Sequence, residues 1–262
     1  MKTFKQVLLT SAIVFLSFIA ATSLFAGVGE HLPPDHWDYE GEKGPDHWGE
    51  LKRKYCKCRI GNMQSPINIS ITKKAKLNDI IFHYNPTPLR IINNGHTIQV
   101  NYKRGSSISI GHRTFELIQF HFHTPSEHLI NGKSYAMEAH LVHRGKHGRL
   151  AVVAILIEEG HGNAFIETLW SNFPKEMGEE HIVSDVRICA SQLLPKNTTA
   201  YYKYTGSLTT PPCSEIVSWF ILKSPIEVSK TELSKFTSLF KHNARPIQPV
   251  HGRVVKENLV HS

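Results

Sequence analysis

The chain has 262 residues and a formal net charge of +8, long enough to bury a sizeable core as one large domain or two small ones. Its basic residues are scattered over Lys52–Lys57, Lys73–Lys76 and Arg144–Arg149, and no basic run carries regularly interleaved aromatics. The charge therefore argues for a solvated cationic surface and against nucleic acid as a partner.

The chain opens on MKTFKQVLLTSAIVFLSFIAATSLFA. Lys2 and Lys5 give a positive start, no charge occurs from Val7 to Ala26, and small residues precede Gly27. This pattern predicts a signal peptide over 1–26, so that 27–262 form a single exported domain, periplasmic or secreted. The alternative is an uncleaved anchor, because the apolar run approaches the roughly 20 residues of a spanning helix. No later stretch is apolar enough to span, so any membrane contact is expected through this segment alone.

Residues 27–57 are polar and carry PDHW twice, at 34–37 and 45–48. They predict an arm of short turns tied down by Trp37, Tyr39 and Trp48. From Pro66 to Ile157 short period-2 runs follow: 96–102, 106–110, 115–123, 136–143 and 150–158. Asn94-Gly95, Arg104-Gly105, Asn131-Gly132 and His147-Gly148 punctuate them. LAVVAILI is apolar throughout, as suits a strand covered on both faces. Helices are few. Phe165, Ile166, Leu169 and Trp170 predict a short one. Ser229 and Glu232 form a capping box ahead of Leu233, Phe236, Leu239 and Phe240. The fold class is mainly β, with a large central sheet.

Four cysteines, Cys56, Cys58, Cys189 and Cys213, permit disulfides in an exported chain. Cys56 and Cys58 are spaced CxC, not CxxC, and the sequence leaves three pairings open.

QFHFH at 119–123 sets imidazoles inside a strand pattern. Alternation puts Gln119, His121 and His123 on one face and Phe120 and Phe122 on the other. Among 17 histidines such a pair alone favours an ordinary surface role. EAHLVH changes the balance, because Glu138, His140 and Val142 share a face of another strand while His143 does not. Three histidines with an open fourth position make a catalytic zinc pattern. Gln119 and Glu138 are placed to accept hydrogen bonds from the rings' other nitrogens.

Together HWDYEGEKGPDHW (36–48), QSPINI (64–69), NNGH (93–96), QFHFH, SEH (126–128), EAHLVH (138–143), GSLTTPPCSE (206–215) and NARPIQP (243–249) resemble the α-class carbonic anhydrases. The resemblance runs from about His36 to about Val255. It implies a twisted, mostly antiparallel central sheet with a few short peripheral helices. It also implies reversible hydration of carbon dioxide to bicarbonate, with Zn²⁺ held by His121, His123 and His140. Thr209 matches the threonine that accepts a hydrogen bond from zinc-bound hydroxide, and Glu127 matches the carboxylate that takes the threonine's proton. His96 matches the proton shuttle. Gln119, Glu138 and Asn243 match hydrogen-bond partners of the ligands. Val142, Val152, Leu208 and Trp219 match the apolar substrate pocket, with Thr210 and Asn94 on the opposite wall.

Only 16 residues separate His123 from His140, Thr124 follows the histidine pair, and Ala244 stands in NARPIQP. These features resemble bacterial exported members, which implies a Cys58–Cys213 disulfide. Cys56 and Cys189 are left to stay free, pair together, or link subunits, so a homodimer stays open. Two rivals remain. One is a non-catalytic zinc-binding or adhesion module on the same fold, which would be expected to have lost a ligand histidine. The other is an esterase using the same nucleophile. Asn68 and Asn197 begin N-x-[ST] sequons, which matter only in a glycosylating host.

Overall fold

The computed structural model describes residues 36–259; the expected signal peptide lies outside them. The strands are β1 (Asn68–Ile69), β2 (Lys73–Ala75), β3 (Ile80–His83), β4 (Thr87–Asn93), β5 (Ile98–Asn101), β6 (Ser107–Ile110) and β7 (Arg113–His123). They continue as β8 (Leu129–Ile130), β9 (Met137–Arg144), β10 (Leu150–Glu159), β11 (His181–Ile188), β12 (Tyr201–Gly206), β13 (Val217–Val228) and β14 (Lys256–Asn258). Four short helices accompany them: α1 (Trp48–Leu51), α2 (Lys57–Ile60), α3 (Ala164–Trp170) and α4 (Lys230–Thr237).

Twelve strands form one sheet in the order β11-β4-β5-β7-β9-β10-β13-β12-β14-β2, with β6 joining β3 to β7. Its pairs are antiparallel except β10–β13 and β14–β2. The expected mostly antiparallel sheet is therefore observed. β1 and β8 make a separate parallel pair that brings QSPINI beside SEHLI.

β10 shows why the sheet is thick. Ala151, Val153, Ile155 and Ile157 face one core, while Val152, Ala154 and Leu156 face another. A strand covered on both faces needs no polar alternation, which explains the continuous run. The first core is closed by Phe165, Ile166, Leu169 and Trp170 of α3 and Phe236 of α4. Asn163 caps α3 by accepting from the amides of Phe165 and Ile166, and the Ser229–Glu232 capping box starts α4. The second core contains Trp219 together with Val142 and Val152.

β7 departs from simple alternation. Its register on β9 slips between Leu117 and Gln119, leaving Ile118 as an extra residue. Phe115 and Leu117 before the bulge, and Phe120 and Phe122 after it, therefore reach the same core. The bulge thereby aims Gln119, His121 and His123 at the opposite face. Burying each phenylalanine contributes about 1.5–3 kcal/mol, which holds the histidine register.

Within the described residues, the N-terminal arm from His36 on is tied down by the expected aromatic residues. Trp37, Tyr39 and Trp48 meet edge to face, and the cluster includes the Cys58–Cys213 disulfide. Cys56 and Cys189 are free thiols. Among the described residues no helix is long and apolar enough to cross a membrane.

Candidate metal centre

His121 on β7 stands directly opposite His140 on β9, and His123 follows two residues along the same face. One nitrogen from each ring lies within 4.8 Å of the others. The remaining nitrogens are all engaged. His121 Nδ1 donates to Gln119 Oε1 at 2.8 Å, His123 Nδ1 donates to the Asn243 carbonyl at 2.7 Å, and His140 Nε2 donates to Glu138 Oε1 at 2.8 Å.

Carbonyl and carboxylate oxygens only accept, so the proton of each ring is fixed on the outward nitrogen. Nε2 of His121, Nε2 of His123 and Nδ1 of His140 are left with lone pairs turned toward one another. The buried Nε2 of His123 has no hydrogen-bond partner, a state that costs about 1–3 kcal/mol unless something is bound there. Burial holds His121 and His140 below the ordinary histidine value and brings His123 to about 4. Neutral imidazoles are the form that ligates a cation.

The supports of these rings are themselves held. Asn243 uses every polar group of its amide: Oδ1 accepts from Thr124 N at 2.7 Å, and Nδ2 donates to the carbonyls of His96 and Phe122. Glu138 accepts from His140 Nε2, from His128 N at 2.8 Å and from His128 Nδ1 at 2.7 Å. Burial alone would raise its carboxyl, but His128 and His140 hold it well below the usual range. His128 Nε2 meets Tyr204 Oη at 2.7 Å, and Tyr204 donates to Ser65 Oγ at 2.8 Å. His128, Glu138 and His140 also cluster closely, but their short contacts are already hydrogen bonds.

Glu127 is fully buried beside the triad, its Oε2 3.6 Å from His123 Nε2 and 3.9 Å from His140 Nδ1. Its Oε1 accepts from the Arg245 amide at 2.9 Å. Burial pushes its carboxyl up to about 7, against the lowering pull of His140, the Arg245 amide and the Thr209 hydroxyl. A divalent cation beside it would favour the ionised form. The loop bearing Thr209 is pinned by three contacts. Ser207 Oγ accepts from the Ser65 amide, the Trp219 ring donates to the Ser207 carbonyl, and Cys213 is bonded to Cys58.

Val142, Val152 and Trp219 belong to one buried cluster, with Leu208 against it, and the Trp219 ring lies 4.8 Å from His140. Thr210 is half-buried on the same loop as Thr209. Asn94 Oδ1 instead accepts from the amides of His96 and Thr97 and caps the turn. The His96 ring stacks on Trp37 at 3.7 Å and on His36 at 5.0 Å. Burial, then His36, lowers its pKa to about 4.

The sequence pattern did not single out His128 or Arg245, although both lie in the quoted motifs. Arg245 is 3% exposed. Its guanidinium donates to Gln64 Oε1, the Ser65 carbonyl and the Cys58 carbonyl, tying QSP and the disulfide to Glu127. A charged residue between alanine and proline inside a motif was the available signal for it.

A twisted sheet presenting three clustered imidazoles beside a buried carboxylate defines a protein that could hold a metal ion. The eukaryotic-type carbonic anhydrase family model matches residues 43–259. A carbonic anhydrase of Klebsiella pneumoniae is 46% identical over 225 residues, covering 85% of this chain and 91% of its own. One of Nostoc sp. is 44% identical over 227 residues, with 85% and 86% covered. The solved structure of a hyperthermostable carbonic anhydrase from a hydrothermal vent chimney superposes with a TM-score of 0.82. It is 48% identical and covers 85% of this chain and all of its own. The chain belongs to the eukaryotic-type, or α-class, carbonic anhydrase family.

Proposed function

We propose that the chain catalyses zinc-dependent, reversible hydration of carbon dioxide, CO₂ + H₂O ⇌ HCO₃⁻ + H⁺. The observation that carries this reading is the set of three imidazole lone pairs, each oriented by a hydrogen bond on its other nitrogen. Three nitrogen donors with an open fourth position fit catalytic zinc, and they fit poorly the thiolate-rich structural sites. Nε2 of His121, Nε2 of His123 and Nδ1 of His140 would hold the ion. When bound, zinc supplies Lewis acidity and a hydroxide nucleophile at neutral pH.

The remaining roles fall to the chain's own residues. Thr209 would donate a hydrogen bond to Glu127 Oε2, which otherwise has no hydrogen-bond partner, so that its lone pair would face the cleft and orient the attacking oxygen. Val142, Val152, Leu208 and Trp219 receive a small, uncharged substrate that needs burial beside the nucleophile more than polar recognition. Thr210 would line the opposite wall, and Asn94, its Oδ1 already engaged by the turn, could reach it only through its amide nitrogen. His96 relays the released proton outward, leaving the stack on Trp37 as it does so. The same nucleophile would hydrolyse activated esters weakly. The Cys58–Cys213 disulfide supports an exported location, periplasmic or secreted, because such bonds persist in oxidising compartments.

Stopped-flow hydration assays with and without chelator, alongside His121→Ala, test the reading. Chelation and the substitution should each abolish both bound zinc and hydration. Hydration that survives in His121→Ala would overturn it.

A further inference from the structure

The opposite end of β7 carries a second built feature. The β6–β7 turn at Gly111-His112 and the β9–β10 turn at Gly145–Arg149 lie side by side. Between them opens a cleft of about 530 Å³, lined by His112, Arg113, Phe115, Lys146, His147 and Arg149, with the Thr114 and Ser218 hydroxyls. It lies about 26 Å along the strand from His121, eight residues at about 3.3 Å each.

Three observations single this cleft out. Its lining holds two guanidiniums and one ammonium and no carboxylate. Glu116 lines the adjoining cleft, 4.0 Å from Arg104. Arg113, Lys146 and Arg149 make no side-chain hydrogen bond or ion pair among the described residues, whereas Arg90, Lys223 and Lys235 are each paired. The walls of the cleft are closely packed turns. A Cβ on Gly145 would sit 2.6 Å from the Phe115 ring, so the two turns are packed backbone to ring. His147 and Gly148 hold left-handed backbone at φ 56° and 72°, and the turn is closed by the Gly145 amide on the Arg149 carbonyl. The uncompensated field reaches β12, where burial, then Lys256 and Arg113, lower the pKa of Lys203.

We propose that this cleft is a binding site for a phosphate oxyanion, seated between Arg113, Lys146 and Arg149. Three exposed, unpaired cations on the lining of one cleft exceed what one carboxylate neutralises, and the guanidinium fork matches tetrahedral oxyanions. A compact cleft, as opposed to a long basic stripe, favours a small phosphate or a lipid headgroup.

Calorimetric titration of the zinc-loaded full chain with inorganic pyrophosphate tests the site, alongside flotation with phosphatidylglycerol and phosphatidylcholine vesicles. Pyrophosphate bound at one site assigns a free phosphate. Flotation with phosphatidylglycerol alone assigns a headgroup. In either case Arg113→Ser/Lys146→Ser/Arg149→Ser should weaken binding about a thousandfold or more, since three charge-assisted bonds are lost, and leave hydration unchanged. His121→Ala should leave binding intact. No binding in either arm would overturn the proposal. So would equal weakening in Lys73→Ser/Lys74→Ser/Lys76→Ser, or loss in His121→Ala with retention in the cleft variant.

Discussion

Single atoms decide how the triad works. Glu138 receives three donors and has no proton to give. Glu138→Gln keeps the shape but turns one acceptor into an NH₂ group facing an N–H. Both ring bonds fall on Oε1, so either the His128 amide at Oε2 loses its partner or, with the side-chain amide turned over, both ring N–H groups do; in each case the support of Glu138 weakens and the orientation of His140 Nδ1 loosens. Zinc affinity should fall about 10–100-fold, read by competition with a chromophoric chelator; unchanged affinity would show that Glu138 does not orient the ring. His96 offers a second single-residue test. Its ring is kept neutral by burial against Trp37, so Trp37→Ala should move its pKa upward from about 4, measured by imidazole NMR titration. A value that stays put would assign the shift to His36 instead. Of these residues, parity exposed Gln119, His121, His123, Glu138 and His140, because strand alternation is local. His128 and Arg245 were not legible that way. Their partners, Tyr204, Ser65, Gln64 and Cys58, lie 76 to 187 residues away.

At the scale of elements, the runs at 115–123, 136–143 and 150–158 became β7, β9 and β10 almost as written, because each alternates or is buried throughout. The slip at Ile118 was not legible, since a bulge shows only against its partner strand. The parallel β10–β13 pairing was equally hidden, because the two strands are joined by 57 intervening residues, Gly160 to Ile216. The loop between β12 and β13 carries Thr209 and, four residues on, Cys213, whose disulfide spans 155 residues to α2. Cys58→Ser/Cys213→Ser should cost about 2–5 kcal/mol in guanidinium unfolding under oxidising conditions, chiefly by freeing the unfolded chain. Hydration should fall along with it, because Thr209 loses its anchor. A variant equally stable, or destabilised yet fully active when folded, would separate the bond from the loop's geometry.

For the molecule as a whole, buried neutral histidines tie stability to acidity. His143 lies on the core side of β9, donating Nδ1–H to the Ala151 carbonyl at 3.2 Å and accepting at Nε2 from Tyr84 Oη at 2.8 Å. Burial brings its pKa to about 4, although the Ala151 bond opposes the shift. Above about pH 6.5 the ring is neutral both folded and unfolded, so it adds no pH dependence. Between about 6.5 and 4 the unfolded chain takes up the proton and the folded chain does not, so stability falls as pH falls. Below about 4 both forms carry it and the penalty levels off, near 3 kcal/mol for a gap of about 2.5 units. At pH 5 about 2 kcal/mol of that loss should already be present. His143→Phe removes the titrating ring while leaving His121, His123 and His140 untouched. It should be less stable at pH 7, where Tyr84 Oη and the Ala151 carbonyl lose their partner. Its loss on going from pH 7.5 to pH 5 should be smaller than the parent's by about 2 kcal/mol, read from guanidinium midpoints. The other buried histidines contribute equally to both proteins and cancel in that difference. Identical pH slopes would show that His143 is protonated in the folded chain at pH 5, with its charge accommodated by Tyr84 and the surrounding sheet.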